Sequence, residues 1–338
     1  MRQVVIVGAG GMGRAWMDAV ARRDDLWVAA VVDIVPDAAQ AAVRERGWDI
    51  PCTATVSEAL RAVDAGMLLN VTVPEAHVEV SSAALRAGVP VLSEKPVAPT
   101  LAGALHLAAI SDDTGTLLAT SQSRRHARGI RALRDALDTL GGAEQLDARF
   151  RQNPRFGGFR DRMASPLLLD MAVHTFDQAR YLLGSEPVTV WCEEYSPSWS
   201  WYRGAAAAHA VFRFNDGARF AYSGSWCADG LTTSWNGHWR GDAAGGAAEW
   251  DGEDHVVAQS GDAPPTVQPL DEAAEGLDAA LAEFVGALDG GPAPSGEIAA
   301  NVWSLAMVEA AVASSTMGTP VSLAAVFGAA RAQVGAAR

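Results

Sequence analysis

The chain has 338 residues, 49% apolar and 20% charged, which is enough for two domains that each bury a core. A formal charge of −14 leaves no broad basic face for a phosphate backbone and excludes nucleic acid as a partner. Cys52, Cys192 and Cys227 are too few and too far apart for a disulfide framework or a metal knuckle, which points to a reducing, cytoplasmic setting.

From Gln3 to Thr120 short β-branched runs alternate with amphipathic stretches. Strands are expected at Val4 to Val7, Trp27 to Asp33, Met67 to Val71, Val89 to Leu92 and Thr116 to Ala119. Helices are expected at Gly11 to Arg23, Asp37 to Arg46, Glu75 to Ala87 and Leu101 to Ser111. This is the rhythm of a doubly wound parallel sheet, an N-terminal Rossmann domain over residues 1–121. The opening run Val4 to Val7 is far too short for the core of a signal peptide.

Beyond residue 122 the rhythm changes. A helix (Ile130 to Leu140), a strand (Gln145 to Gln152) and a second helix (Pro166 to Leu183) precede strands at Val188 to Glu194, Ala207 to Phe214, Ala218 to Ser225, Thr233 to Arg240 and Ala247 to Trp250. Tight turns such as Asn215-Asp216-Gly217 make this an α+β domain over residues 122–338, with a large, mostly antiparallel sheet. Asp251 to Glu275 reads as an acidic loop, followed by helices at Ala273 to Leu288 and Glu297 to Thr316. No run is expected to supply the ~20 apolar residues of a bilayer crossing, so no membrane partner is expected.

Directly after the first strand stands Gly8-Ala9-Gly10-Gly11-Met12-Gly13, a G-x-G-x-x-G opening a helix. Gly8 permits the tight turn, Gly10 lets a pyrophosphate approach the backbone, and Gly13 allows close helix–strand packing, with unpaired amides at the helix start facing the anion. The second strand ends in Asp33, twenty residues past Gly13, where a carboxylate accepts from ribose hydroxyls. Its charge repels a 2′-phosphate and Ile34 offers no cation, so NAD is the expected cofactor rather than NADP.

Lys95 is the only lysine among 26 basic residues, and it follows the Val89–Leu92 run in Ser93-Glu94-Lys95-Pro96. Lysine, unlike arginine, can be tuned toward proton transfer near neutrality, and this position is the strand edge where ligands sit in doubly wound sheets. A second cluster lies on the expected helix after Ser165-Pro166, which suit an N-cap and first helical position. There Asp170, His174 and Asp177 stand at i, i+4 and i+7 among leucines, a polar stripe that must face solvent or a functional cleft.

These elements together resemble the Gfo/Idh/MocA oxidoreductases: the glycine fingerprint, Thr72-Val73-Pro74-Glu75-Ala76-His77, Glu94-Lys95-Pro96, Asp170-x-x-x-His174 with Asp177, and a closing Asn301–Ser315 helix followed by Pro320-Val321. The likeness spans nearly the whole chain. It implies a Rossmann domain joined to an antiparallel-sheet domain, with substrate between them, and hydride exchange at a ring carbinol of a sugar, cyclitol or related polyol. It implies further that Lys95 holds the reacting oxygen, His174 is the main acid/base, and Asp170 binds a substrate hydroxyl. By the same resemblance Thr72, Pro74, His77 and Glu94 line the cofactor. The sequence departs from the family at Ala164-Ser165-Pro166, where a triple glycine is common, and at Ala172, commonly glycine.

Arg124, Arg125 and His126 follow the last strand of the first domain, where Arg124, like Asp177, is a candidate substrate contact. Seven of the eleven tryptophans fall between Trp191 and Trp250. In the expected strand Thr233 to Arg240, Trp235 and Trp239 share a face, which favours packing or a homo-oligomer interface on the C-terminal sheet over sugar stacking. No cluster has metal-ligand spacing. The leading function is an NAD-dependent dehydrogenase; the competing readings are an NAD-retaining glycoside hydrolase and a non-catalytic dinucleotide-sensing regulator.

Overall fold

The structure, a computed structural model, describes residues 1–336. In its N-terminal part strands β1 (Arg2–Val7), β2 (Leu26–Val32), β3 (Cys52–Thr53), β4 (Met67–Asn70), β5 (Val91–Ser93) and β6 (Leu118–Thr120) form one parallel sheet in the order β3-β2-β1-β4-β5-β6. Helices α1 (Gly11–Ala21), α2 (Pro36–Arg44), α3 (Val56–Ala62), α4 (Pro74–Arg86) and α5 (Leu101–Thr114) connect them. Residues of β1, β4 and β5 are buried in unbroken apolar runs, as strands covered on both faces must be. Strand order reverses between β1 and β4, so the loops after these strands flank the crevice where doubly wound sheets bind ligands.

The sequence reading omitted β3 and α3. β3 is a two-residue edge strand only half buried, too short to leave a periodic trace. α3, by contrast, carries a legible start: Thr55 Oγ1 accepts from the Glu58 amide while Glu58 accepts from the Thr55 amide, a reciprocal cap.

From Arg124 onward helix α6 (Arg128–Thr139) leads into a nine-stranded sheet. Its strands are β7 (Ala143–Arg151), β8 (Pro187–Tyr195), β9 (Ala207–Phe214), β10 (Arg219–Ser225), β11 (His238–Ala243), β12 (Gly246–Trp250), β13 (Val256–Ser260), β14 (Thr266–Val267) and, after the last long helix, β15 (Val321–Ser322). All neighbours are antiparallel except β7 and β10, which run parallel. β9 alternates strictly, with Ala208, Ala210, Phe212 and Phe214 inward and His209, Val211 and Arg213 outward, so one face is core and the other is open. Helix α7 (Val173–Leu183) covers the inner face through Phe176, whose ring meets Phe212 edge-on at 4.8 Å and Tyr222 at 5.3 Å.

Three expectations need correction here. The stretch 233–237 is a turn rather than strand: Gly237 has φ +80° and its amide donates to the Ser234 carbonyl, while the Ser234 hydroxyl accepts from the Asn236 amide. Trp235 and Trp239 therefore do not share a face. Trp239 is fully buried and stacked on Phe220, whereas Trp235 is 41% exposed. The acidic segment expected as loop contains β13, paired with β12, and β14, paired with β13, and this pairing supplies order that its composition conceals.

The C-terminal segments α8 (Gly276–Leu288), α9 (Ile298–Met317) and α10 (Leu323–Ala336) are shared between two compact units. One unit combines Met1–Ser123 with Leu277–Val302 and the segment starting at Ala330; the other combines Arg124–Gly276 with Trp303–Ala329. A single cut near residue 121 therefore divides the chain less finely than its packing. Leu281, Phe284 and Val285 belong to the same buried cluster as Trp16, Met17 and Val20, so α8 completes the core under α1.

By length and composition α9 is long and apolar enough to cross a membrane, which corrects the expectation that no such run exists. Two of its buried serines are engaged within the protein. Ser304 Oγ donates to Asp177 and accepts from Arg180, and Ser314 Oγ accepts from the Cys192 amide and donates to the Thr319 carbonyl.

Candidate active site

The glycine loop is shaped by what its residues lack. A Cβ on Gly13 would lie 1.9 Å from the Gly8 carbonyl oxygen, and one on Gly8, at φ +105°, would lie 2.5 Å from the Val71 carbonyl oxygen. These two glycines let α1 sit directly on the sheet and the loop pass over the end of β4. Gly10 and Gly11 are different, with nothing within 4 Å of the Cβ each could carry, and both are exposed. Gly10 caps α1 without a side-chain hydrogen bond, which leaves the first-turn amides of Gly11, Met12 and Gly13 for an outside acceptor. Tight packing below and open backbone above is the cradle a dinucleotide pyrophosphate fits.

Asp33, at the end of β2, accepts from the Ala9 amide through Oδ2 and from the Val35 amide through Oδ1, each at 2.8 Å. The carboxylate thus pins the loop and keeps a second lone pair on each oxygen for ribose hydroxyls. Ile34 beside it is 88% exposed.

The loops after β4 and β5 are joined by a buried polar network. Asn70 Nδ2 donates to the His77 carbonyl and to Ser81 Oγ, and Asn70 Oδ1 accepts from the Thr72 hydroxyl at 2.7 Å. His77 is fully buried, with Nδ1 2.6 Å from the Pro96 carbonyl oxygen and Nε2 3.1 Å from that of Thr72. Burial holds the imidazole below the ordinary histidine range, against the pull of the two carbonyls and of Glu94 and Glu75. Glu94 accepts from the buried indole of Trp16 at 2.8 Å and from the Lys95 amide at 3.2 Å. Lys95 is partly buried, and its bond to Pro96 is cis. Sequence reasoning missed Asn70; its trace was a lone amide closing the apolar run Met67-Leu68-Leu69.

In the second unit the expected stripe is resolved into separate roles. Leu167–Ala172 is π-helical and passes into α7 at Val173, so the i, i+4, i+7 alignment of a uniform α-helix does not hold. Asp170 turns to Arg160, whose Nε donates to its Oδ2 at 2.6 Å. His174 is 7% exposed in the first turn of α7. Asp177 is 1% exposed and points inward, where it accepts from Arg125 at 2.5 and 2.8 Å and from Ser304 at 2.6 Å.

Arg124 donates to the Trp235 carbonyl and, through Nη2, approaches the sulfur of Met171, the residue after Asp170. Burial pulls its pKa down to about 10, which still leaves it charged at neutral pH. Arg160 lies over the exposed rings of Phe159 and Phe156 at 4.7 and 5.2 Å. Its only sequence signal was its place in the arginine-rich run from Arg149 to Arg162.

Ser165 does not cap the helix through its side chain. Its hydroxyl donates to Glu194 Oε2 at 3.1 Å, and burial pushes the Glu194 pKa up to about 7, with the serine bond opposing. Nothing in the strand pattern around Glu194 marked this carboxylate as buried.

Comparison with known proteins gives two family matches. Residues 2–122 match the model described as the oxidoreductase family, NAD-binding Rossmann fold, and residues 130–247 match the GFO/IDH/MocA C-terminal domain. A 1,5-anhydro-D-fructose reductase from Ensifer adhaerens is 26% identical over 93% of this chain and 96% of its own length. An inositol 2-dehydrogenase from Rhizobium meliloti is 29% identical, over 55% of this chain and 56% of its own. An oxidoreductase from Agrobacterium radiobacter, solved with NAD+, L-tartaric acid and magnesium, has the same fold, with TM-score 0.86 at 19% identity over 96% of this chain and 99% of that one.

The Glu194 environment makes a pH-dependent prediction. Its folded-state pKa is raised, so its contribution to stability is fully present below the ordinary carboxylate range and is lost as pH rises toward about 7. Glu194→Gln should therefore gain thermal stability relative to the parent chain as pH goes from 5 to 8, with the gain levelling off above that. Melting curves across this range check it, and a difference that does not change with pH would contradict it.

Proposed function

The chain belongs to the Gfo/Idh/MocA oxidoreductases, and from that membership we propose that it is an NAD-dependent dehydrogenase oxidising a ring carbinol of a sugar, cyclitol or related polyol. The observation that carries this reading is the position of the single lysine: Lys95 follows β5, on the same carboxyl edge of the sheet as the Gly8–Gly13 loop and Asp33.

In this reading Gly10, Gly11, Met12 and Gly13 present backbone to the pyrophosphate, Asp33 takes the ribose, and Thr72, Pro74 and Glu94 line the cofactor. Bound nicotinamide would supply the hydride-accepting carbon. His174 acts as general base and takes the hydroxyl proton, and the Lys95 ammonium holds the oxygen as it becomes a carbonyl. Asp170 accepts a neighbouring hydroxyl of the substrate, in exchange for part of its bond to Arg160, and Arg124 contributes fixed positive charge beside it. The relatives that act on anhydrofructose and inositol support a polyhydroxylated ring as the substrate class. A cytoplasmic setting accords with the three free thiols.

The test is NAD reduction over a panel of sugars and cyclitols, with Lys95→Ala and His174→Ala as controls. Release of NADH with at least one polyol is expected, and each variant should lower kcat by about 10²–10⁴-fold, the usual contribution of a positioned acid or base. Turnover without free NADH would favour the retaining hydrolase, and full activity in Lys95→Ala would remove the assignment.

Cofactor choice follows from Asp33, whose charge opposes a 2′-phosphate. NADH should bind at least about tenfold more tightly than NADPH, a difference of about 1.4 kcal/mol. Asp33→Asn, which keeps an oxygen for the Ala9 amide, should narrow the gap. Fluorescence titration measures both.

We also propose that the open face of the nine-stranded sheet joins a second copy of this chain. Trp191, Tyr195 and Val211 are 40–45% exposed there, and Trp191 lies directly across from Val211 in the β8–β9 pair. The concave part of the same sheet, from Val211 across to His238, Arg240 and Glu249, is polar on the side of β11 and β12, and an apolar patch with a polar flank suits an interface. Light scattering should give a dimer or larger assembly, and Trp191→Glu with Val211→Arg should give monomer; a parent chain that is already monomeric would refute it.

A further inference from the structure

Lys95 can serve as a proton-handling group only if the loop that carries it is held still. It follows a three-residue strand, β5, and precedes a run of turns up to α5. Its neighbours in sequence tie this loop down on both sides. On one side, Glu94 is tied to the indole of Trp16, which is 1% exposed in α1. On the other, the Pro96 carbonyl faces Nδ1 of His77 at 2.6 Å. His77 is itself immobilised: it is fully buried, and its own carbonyl accepts from Asn70, whose side chain is also fully buried at the end of β4.

We propose that His77 is a positioning residue for Lys95, a donor whose hydrogen bond to the Pro96 carbonyl transmits the rigidity of the β4–α4 junction to the loop carrying the lysine. The family resemblance placed His77 among the residues lining the cofactor. Its complete burial, with both ring nitrogens turned to backbone carbonyls, gives it this other task. A neutral imidazole has one N–H to share between the two carbonyls. The shorter contact, 2.6 Å against 3.1 Å, puts that proton on Nδ1 and directs it to Pro96. The functional weight of the inference rests on the reading of Lys95 proposed above, but the contact itself can be tested without any substrate.

The chain offers an unusually clean probe. Reductive methylation with 13C-formaldehyde labels lysine and the N-terminal amine and keeps the charge, so with one lysine the NMR spectrum contains one side-chain dimethylamine signal and one internal control. Three variants separate the arms of the ring. His77→Asn places an amide donor where Nδ1 stands, His77→Gln places one near Nε2, and His77→Leu supplies neither. The Lys95 signal should stay close to the parent position in His77→Asn and should shift or broaden in His77→Gln and His77→Leu, while the N-terminal signal is unchanged in all three.

With a substrate in hand, kcat should fall by up to about 10²-fold in His77→Leu, the cost of an ångström of misplacement, and recover in His77→Asn. A parent-like Lys95 signal in His77→Leu overturns the proposal, as does an equal shift in His77→Asn and His77→Gln. Should His77→Leu fail to fold, the comparison of Asn with Gln decides alone. If Lys95→Ala proves fully active while the signal behaves as expected, the assignment of Lys95 fails and the brace stands.

Discussion

The first unit depends on the contact between α1 and the sheet at Gly8 and Gly13. With the Gly13 Cβ position only 1.9 Å from the Gly8 carbonyl oxygen, any side chain there would lift the helix off the strands. That approach sets where the first-turn amides of α1 point, where Trp16 enters the core and, through the indole of Trp16, where Glu94 is held. Asp33 closes the arrangement from the neighbouring strand by taking the Ala9 amide. Cofactor cradle and lysine loop are therefore built on one steric requirement, and α8 seals the same core from below with Leu281 and Phe284.

A second principle is the use of buried polar side chains as fasteners. Asn70, His77 and Ser81 lie inside the first unit, and Arg125, Asp177, Ser304 and Arg180 inside the second. Burying such groups is costly unless each is satisfied, and when it is, the geometry is nearly unique. In the second unit Arg180 continues the chain to Glu186 at 2.6 and 2.7 Å, so α7 is locked to the residue just before β8 and to α9 at once. The π-helical turns ahead of α7 then set Asp170 apart from Asp177: one reaches an arginine on a partly exposed segment, the other an arginine in the interior. Two aspartates seven residues apart on one helix thus have different chemistry.

Much of this was legible in advance. Parallel strands buried on both faces have to be apolar runs, so β1, β2, β4 and β5 announced themselves, and the glycine spacing with Asp33 marked the sheet edge expected to take a cofactor. Position 95 stood out because lysine occurs nowhere else. Less legible were elements whose order comes from pairing rather than pattern: β3 and β14 are two residues each, β13 lies within an acidic segment, and a neighbouring strand completes the hydrogen bonds of each.

By itself, then, the sequence determined the architecture and the chemical types available: a Rossmann sheet, a larger, mostly antiparallel sheet, one lysine, and an aspartate and a histidine four residues apart. Only the tertiary structure decided which of these groups are accessible and which are structural. Periodicity along a helix reports faces under a fixed turn, and the π-helical segment altered that turn at Asp170. Likewise no local pattern could say that His77 would meet the carbonyl of a residue nineteen positions away, or that α8 would return to the core of the first unit. Hydrogen bonds and packing join residues that are distant in sequence, and their partners are fixed only when the chain is folded.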